Sequence, residues 1–147
     1  MSVLVIGTGA RECMIIKKLL ESPISIMCIG TTNNPYIDRF CDVHLVKSMS
    51  IDAVDVILTS YLFKPEYAII GPEYPLEIGI SDYLENINIP CIGPLKFYAQ
   101  IETSKVFARE FIKDIGLKSY SPKNVTIMGE VIHHLNYNDK IKFINSI

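Results

Sequence analysis

Residues 2–12 read SVLVIGTGARE. A short apolar run, β-branched at Val3, Val5 and Ile6, leads straight into a turn with two glycines. The continuity of SVLVI predicts a strand covered on both faces. Gly7 and Gly9 permit a tight turn and let the backbone approach a ligand with no Cβ in the way. A helix opening after such a turn offers unbonded N–H groups and the positive end of its dipole. The turn therefore reads as an anion cradle, and Arg11 adds a fork that can grip a phosphate. A strand–helix turn with no ligand is the plainer alternative, because GxG alone is a weak signal.

Outward from this stretch, strands and helices alternate. SIMCI (25–29), VHLV (43–46), YAII (67–70) and CIG (91–93) are the further strand candidates. Helical spacing runs through 11–21, 51–63, 75–86 and 96–115, and NNPYIDRF (33–40) enters a short helix with Pro35 in its first turn. Ile51, Val54, Ile57, Leu58, Tyr61 and Leu62 form one stripe, with Ser50 as its N-cap. Phe107, Phe111, Ile112 and Ile115 form another, most simply read as core packing. Strict alternation predicts an α/β fold: an open parallel sheet with helices on both faces. Ligands of such sheets collect outside the carboxyl ends of the strands. Four turns, GTGARE, GTTNNP, GPEYPL and GPLKFY, should therefore crowd one edge. After Ser121-Pro122 the pattern weakens to one helix candidate around EVIHHL and the run IKFINSI.

The bulk properties narrow the function. The chain has 147 residues, 49% of them hydrophobic, enough for one core and the opening of a second domain. A net charge of −2 gives no electrostatic footprint for nucleic acid. No apolar stretch is long enough to span a membrane, and MSVLVIG lacks the features of a secretory leader, so a cytoplasmic protein is expected. Cys13, Cys28, Cys41 and Cys91 include no CxxC pair and read as reduced structural thiols. His44 stands alone and His133–His134 diverge on a helix, so no metal site is read here.

A dinucleotide fingerprint would place a third glycine at position 12 and an acid at the end of the second strand. The chain has Glu12 and Gly30-Thr31-Thr32 instead, which makes NAD a poor ligand. In GPEYPL, Pro72 and Pro75 stiffen the backbone around Glu73, a carboxylate placed to accept from sugar hydroxyls or an amine. A solvated glutamate is the alternative there. Lys105, read on spacing alone, is a surface charge.

Taken in order, VLVIGTGARE, NNPYI, GPEYPLEIGI, IPCIGP and QIETSKVFAREF resemble the N-terminal part of the glycinamide ribonucleotide synthetase (phosphoribosylamine–glycine ligase) family. The likeness runs from residue 2 to residue 122. It implies a pre-ATP-grasp, Rossmann-like domain over 1–95, a linker helix over 96–122, and the incomplete beginning of an ATP-grasp domain over 123–147. It implies an ATP-dependent ligase of de novo purine synthesis, joining glycine to 5-phosphoribosylamine through glycyl phosphate. The small-molecule partners are then phosphoribosylamine, glycine and ATP, with neither nucleic acid nor membrane. ATP and Mg (or Mn) are implied for the complete enzyme, and neither is held tightly by this stretch alone. Gly7, Thr8, Gly9, Ala10, Arg11 and Glu12, with Gly71, Pro72, Glu73 and Pro75, are implied to bind substrate, and Lys105 to reach ATP phosphates. Catalytic and metal-binding residues are expected further along a longer chain, so these residues alone should be inactive. A non-catalytic sugar-phosphate or nucleotide-binding module is the alternative. Two departures stand out: the family loop commonly reads GxGGREH, whereas this chain has Ala10 for a glycine and Cys13 for the histidine. Alanine disfavours the positive φ a glycine allows.

Overall fold

The computed structural model describes residues 1–46, 48–60 and 64–116. The expected helix around EVIHHL, the run IKFINSI, the stripe positions Tyr61 and Leu62, and the expected domain at 123–147 lie outside the described residues. A first compact unit spans Met1–Thr103, and a second begins at Ser104.

Among the described residues five strands, β1 (Ser2–Ile6), β2 (Ser25–Gly30), β3 (Val43–Val46), β4 (Tyr67–Ile70) and β5 (Cys91–Ile92), form one sheet in the order β3-β2-β1-β4-β5. Every pairing is parallel, with Val5 opposite Cys28 on one side and Ile69 on the other. Side chains alternate across the sheet. Leu4, Ile6, Met27, Ile29, Ala68 and Ile70 face one core, and Val3, Val5, Ile26, Cys28 and Ile69 face the other.

Helices cover both faces, as the alternation of elements predicts. On one side lie α1 (Ala10–Leu19) and α2 (Pro35–Phe40), contributing Ile16 and Ile37. On the other, α3 (Ile51–Ser60) brings Val54 and Ile57, and α4 (Glu73–Ile78) brings Leu76. There too, α5 (Ile80–Asn86) brings Ile80 and Leu84, and α6 (Lys96–Thr103) brings Ala99. Caps account for two starts: Asn34 Oδ1 accepts from the Tyr36 N–H at 3.1 Å, and Ser50 Oγ from the Ala53 N–H at 3.2 Å.

Two helices expected as single pieces are broken. The helix expected over 75–86 starts at Glu73 and divides at Gly79, whose φ of 91° is left-handed. The helix expected over 96–115 divides at Ser104, which is extended and accepts from the Phe107 N–H at 3.3 Å. That bond caps α7 (Lys105–Asp114), the described helix of the second unit. Phe107 and Phe111 stack with ring centroids 6.4 Å apart, yet no residue of α7 is buried, so its stripe is not the core packing expected of it. Among the described residues no helix is long and apolar enough to cross a membrane.

Candidate functional site

The strand order fixes where a ligand fits. The connection from β1 turns toward β2, and the connection entering β4 arrives on β1's other side, so the chain reverses direction beside β1. A crevice opens at such a reversal, outside the strand ends. A cleft of about 400 Å³ lies there. Its walls are the turn after β1 (Gly7 to Glu12), Thr31 and Thr32 after β2, Met49 after β3, and Pro72 and Glu73 after β4.

The β1–α1 turn is built tightly. Gly7 holds a left-handed φ of 117° and donates its N–H to Ile29 O at 2.8 Å. Beneath it, the Cys28 thiol donates to Gly7 O at 3.2 Å. The adjacent Cys41 thiol, and then burial, push the Cys28 thiol far up, so it remains a protonated donor. Gly9 is the N-cap of α1 in extended conformation, and Ala10 is the first helical residue. Positive φ is therefore not required at position 10, and alanine suits it. The N–H groups of Thr8, Ala10 and Arg11 have no protein acceptor among the described residues.

Glu12 turns inward. It is 4% exposed, and its Oε2 accepts the Gly9 N–H at 2.6 Å. Arg11 turns outward and bridges to the β4–α4 turn. Its Nη1 donates to Gly71 O at 2.6 Å, and its Nη2 lies 3.4 Å from Glu73 Oε1. Glu73 is the first residue of α4. Its own backbone N–H, then the Arg11 guanidinium, hold its carboxyl below the usual carboxylate range, with the Glu102 side chain a smaller contribution.

The β2–α2 turn docks from the opposite side. Thr8 Oγ1 and Thr32 Oγ1 lie 3.0 Å apart, and Asn34 Nδ2 donates to Thr8 O at 2.8 Å. A Cβ at Gly30 would sit 2.3 Å from Thr8 Cγ2, so this strand end has no room for a larger residue. The same Asn34 amide donates to Cys13 Sγ at 3.1 Å, which places Cys13 beside α2 and outside the cleft lining.

Of the residues singled out in the sequence, Gly7, Thr8, Gly9, Ala10, Arg11, Glu12, Pro72 and Glu73 come together around one cleft. Gly71 joins through its carbonyl. Pro75 is buried inside α4 and does not line the cleft. Lys105 is exposed at the start of α7, in the second unit. The turn GPLKFY contributes nothing to the lining; its Lys96 N–H donates to Asp82 Oδ2 at 2.8 Å. Thr31, Thr32 and Met49 are additions. The strand-end rule pointed to the threonines, but Met49 sits in VKSMS, which has neither glycine nor charge pattern to mark it.

Residues 1–102 match the family described as phosphoribosylglycinamide synthetase, N domain. The chain belongs to this family. Phosphoribosylamine–glycine ligase of Methanocaldococcus jannaschii is 38% identical over 120 residues, covering 80% of this chain and 27% of that protein. The Caulobacter vibrioides protein of the same name is 32% identical over 117 residues, with 80% and 27% covered. A bifunctional purine biosynthetic protein of Dictyostelium discoideum is 35% identical over 147 residues, covering 96% of this chain and 18% of that one. The chain thus spans about a quarter of the length of the first two relatives. In fold, it is similar to N5-carboxyaminoimidazole ribonucleotide synthetase from Thermotoga maritima, with a TM-score of 0.65 at 14% identity, covering 92% of this chain and 36% of that one. That neighbour supports the Rossmann-like architecture of the phosphoribosylglycinamide synthetase N domain.

Proposed function

We propose that this chain is the N-terminal, substrate-binding part of an ATP-dependent ligase that joins glycine to 5-phosphoribosylamine, giving glycinamide ribonucleotide. One observation carries the reading: in a chain of this family, turns from β1, β2 and β4 converge on one cleft at the reversal of the sheet. The pentose phosphate lies against the N–H groups of Thr8, Ala10 and Arg11, near the hydroxyls of Thr31 and Thr32. Glu73 accepts from a ribose hydroxyl or the amine, and Gly71, Pro72 and Pro75 set the path of its turn. Arg11 uses part of its five-donor fork on Gly71 and Glu73 and turns the remainder to the phosphate.

Residues 1–95 form the pre-ATP-grasp domain in this proposal, 96–122 the linker and 123–147 the start of the ATP-grasp domain. Lys105 is an exposed amine suited to ATP phosphates. No group of three or more His, Cys, Asp or Glu fit for a metal occurs among the described residues, so Mg or Mn is assigned to none of them.

Calorimetric titration tests the site. Ribose 5-phosphate should bind saturably to this chain and NAD should not. Glu73→Ala should weaken ribose 5-phosphate by about 1–3 kcal/mol, the range for a lost charge-assisted hydrogen bond. An unchanged affinity in that variant, or a preference for NAD, overturns the proposal. Incubated with ATP, glycine and phosphoribosylamine, these 147 residues should form no product; turnover at an enzyme-like rate would place the whole activity within them.

A further inference from the structure

Glycines surround the Glu12 carboxylate from two separate turns. A Cβ on Gly71 would lie 1.8 Å from Glu12 Oε1. One on Gly9 would lie 2.9 Å from Oε2, and one on Gly7 2.9 Å from Cδ. The side chain is 4% exposed, and the neighbouring guanidinium of Arg11 is directed to Gly71 O and Glu73 instead. The Gly9 N–H is bonded to Glu12, and the Gly7 N–H to Ile29. Neither glycine amide of the GxG turn therefore faces a ligand. Gly71 and Gly9 make room for a carboxylate of the protein itself, and Gly7 for that carboxylate and for the Pro72 ring, 2.7 Å from its Cβ position.

We infer that Glu12 is a positioning residue, clamping the β1–α1 turn to the β4–α4 turn so that the amides of Ala10 and Arg11 face the cleft, without itself contacting the ligand. Electrostatics agrees with the geometry. A carboxylate in direct contact with a phosphate is repelled by it, whereas one bonded to the α1 N-cap amide is stabilised by the helix dipole. The arrangement also explains the missing third glycine. In the dinucleotide fingerprint that glycine lets helix and strand approach closely. Here the side chain at that position holds a second turn in place, and the space is made by Gly71.

The clamp itself is tested without any ligand, by a cycle of Gly71→Ala, Glu12→Ala and the double variant followed by thermal unfolding. Gly71→Ala should lower the midpoint markedly beside Glu12 and much less once that carboxylate is gone. Additive effects overturn the clamp. Glu12→Gln keeps the volume and an acceptor for Gly9 should Glu12→Ala fail to fold. It should bind ribose 5-phosphate within about threefold of the parent, whereas loss of a charged ligand contact would cost about tenfold or more. A loss of that larger size overturns the positioning role.

The ligand's identity rests on the function proposed above, and amide spectra separate the two claims. On titration with ribose 5-phosphate, the Ala10 and Arg11 resonances should move while the Gly9 proton keeps its low-field, carboxylate-bonded position. An upfield move of Gly9 on binding means that Glu12 leaves its clamp, and overturns the inference. If no resonance around the cleft moves, the sugar-phosphate reading fails, and the unfolding cycle alone decides the clamp.

Discussion

Arg11 and Glu73 are the two charged residues of the cleft whose roles the sequence suggested separately and the structure joins. Their pairing has a definite pH signature. A carboxyl held low in the fold stabilises the folded form above its unfolded value, and that contribution disappears as pH falls through the lowered value. The Arg11–Glu73 ion pair should thus persist through neutral and mildly acid solution and be lost only below the usual carboxylate range, while the Arg11 bond to Gly71 O remains. Arg11→Gln should raise the Glu73 titration midpoint, measured by carboxyl carbon resonances, yet leave it depressed, since its own backbone N–H is the larger cause. A return to an ordinary midpoint in that variant would contradict this order. Both residues were legible because each follows a strand beside glycine or proline. The inward turn of Glu12 was not. Its space is created by Gly71, 59 positions away in sequence, and no local pattern reports such an encounter.

Among the elements, strands were easier to locate than helix ends. The runs of β1, β2 and β4 are short, continuous and closed by glycine, which fits strands covered on both faces, whereas β3 and β5 at the margins hold no buried residue. The two helix breaks are not legible in the sequence because apolar spacing continues across both. In PLEIGISDYL the periodicity passes through Gly79, whose backbone is nonetheless left-handed. Gly79→Ala should cost about 1–2 kcal/mol, the penalty for a Cβ in that region, with further crowding against Lys96 Cδ at 3.3 Å. Urea denaturation measures it, and a neutral result would mean that α4 and α5 fuse without strain. At the second break, Ser104 caps α7 from within a stretch whose helical spacing is unbroken. A side chain that serves as a helix cap also occurs exposed in mid-helix, so only the backbone geometry distinguishes them.

For the molecule as a whole, stability in the first unit rests on β1, whose residues Val3 to Ile6 are all fully buried. Leu4→Ala should destabilise by about 2–5 kcal/mol, as expected for a large core residue cut to alanine. Val56→Ala, at a position 59% exposed, should stay within about 0.5 kcal/mol. Equal midpoints in denaturant would refute that assignment of the core. This architecture was legible because alternation of elements leaves few topologies open. The meeting of Met49 with the threonines was not, because it depends on where β3 sits in the sheet order. That same order places short strands at both margins: four residues in β3 and two in β5. An incoming extended segment would find few vacant main-chain partners along either margin, so this sheet is poorly suited to seed fibrils through edge pairing.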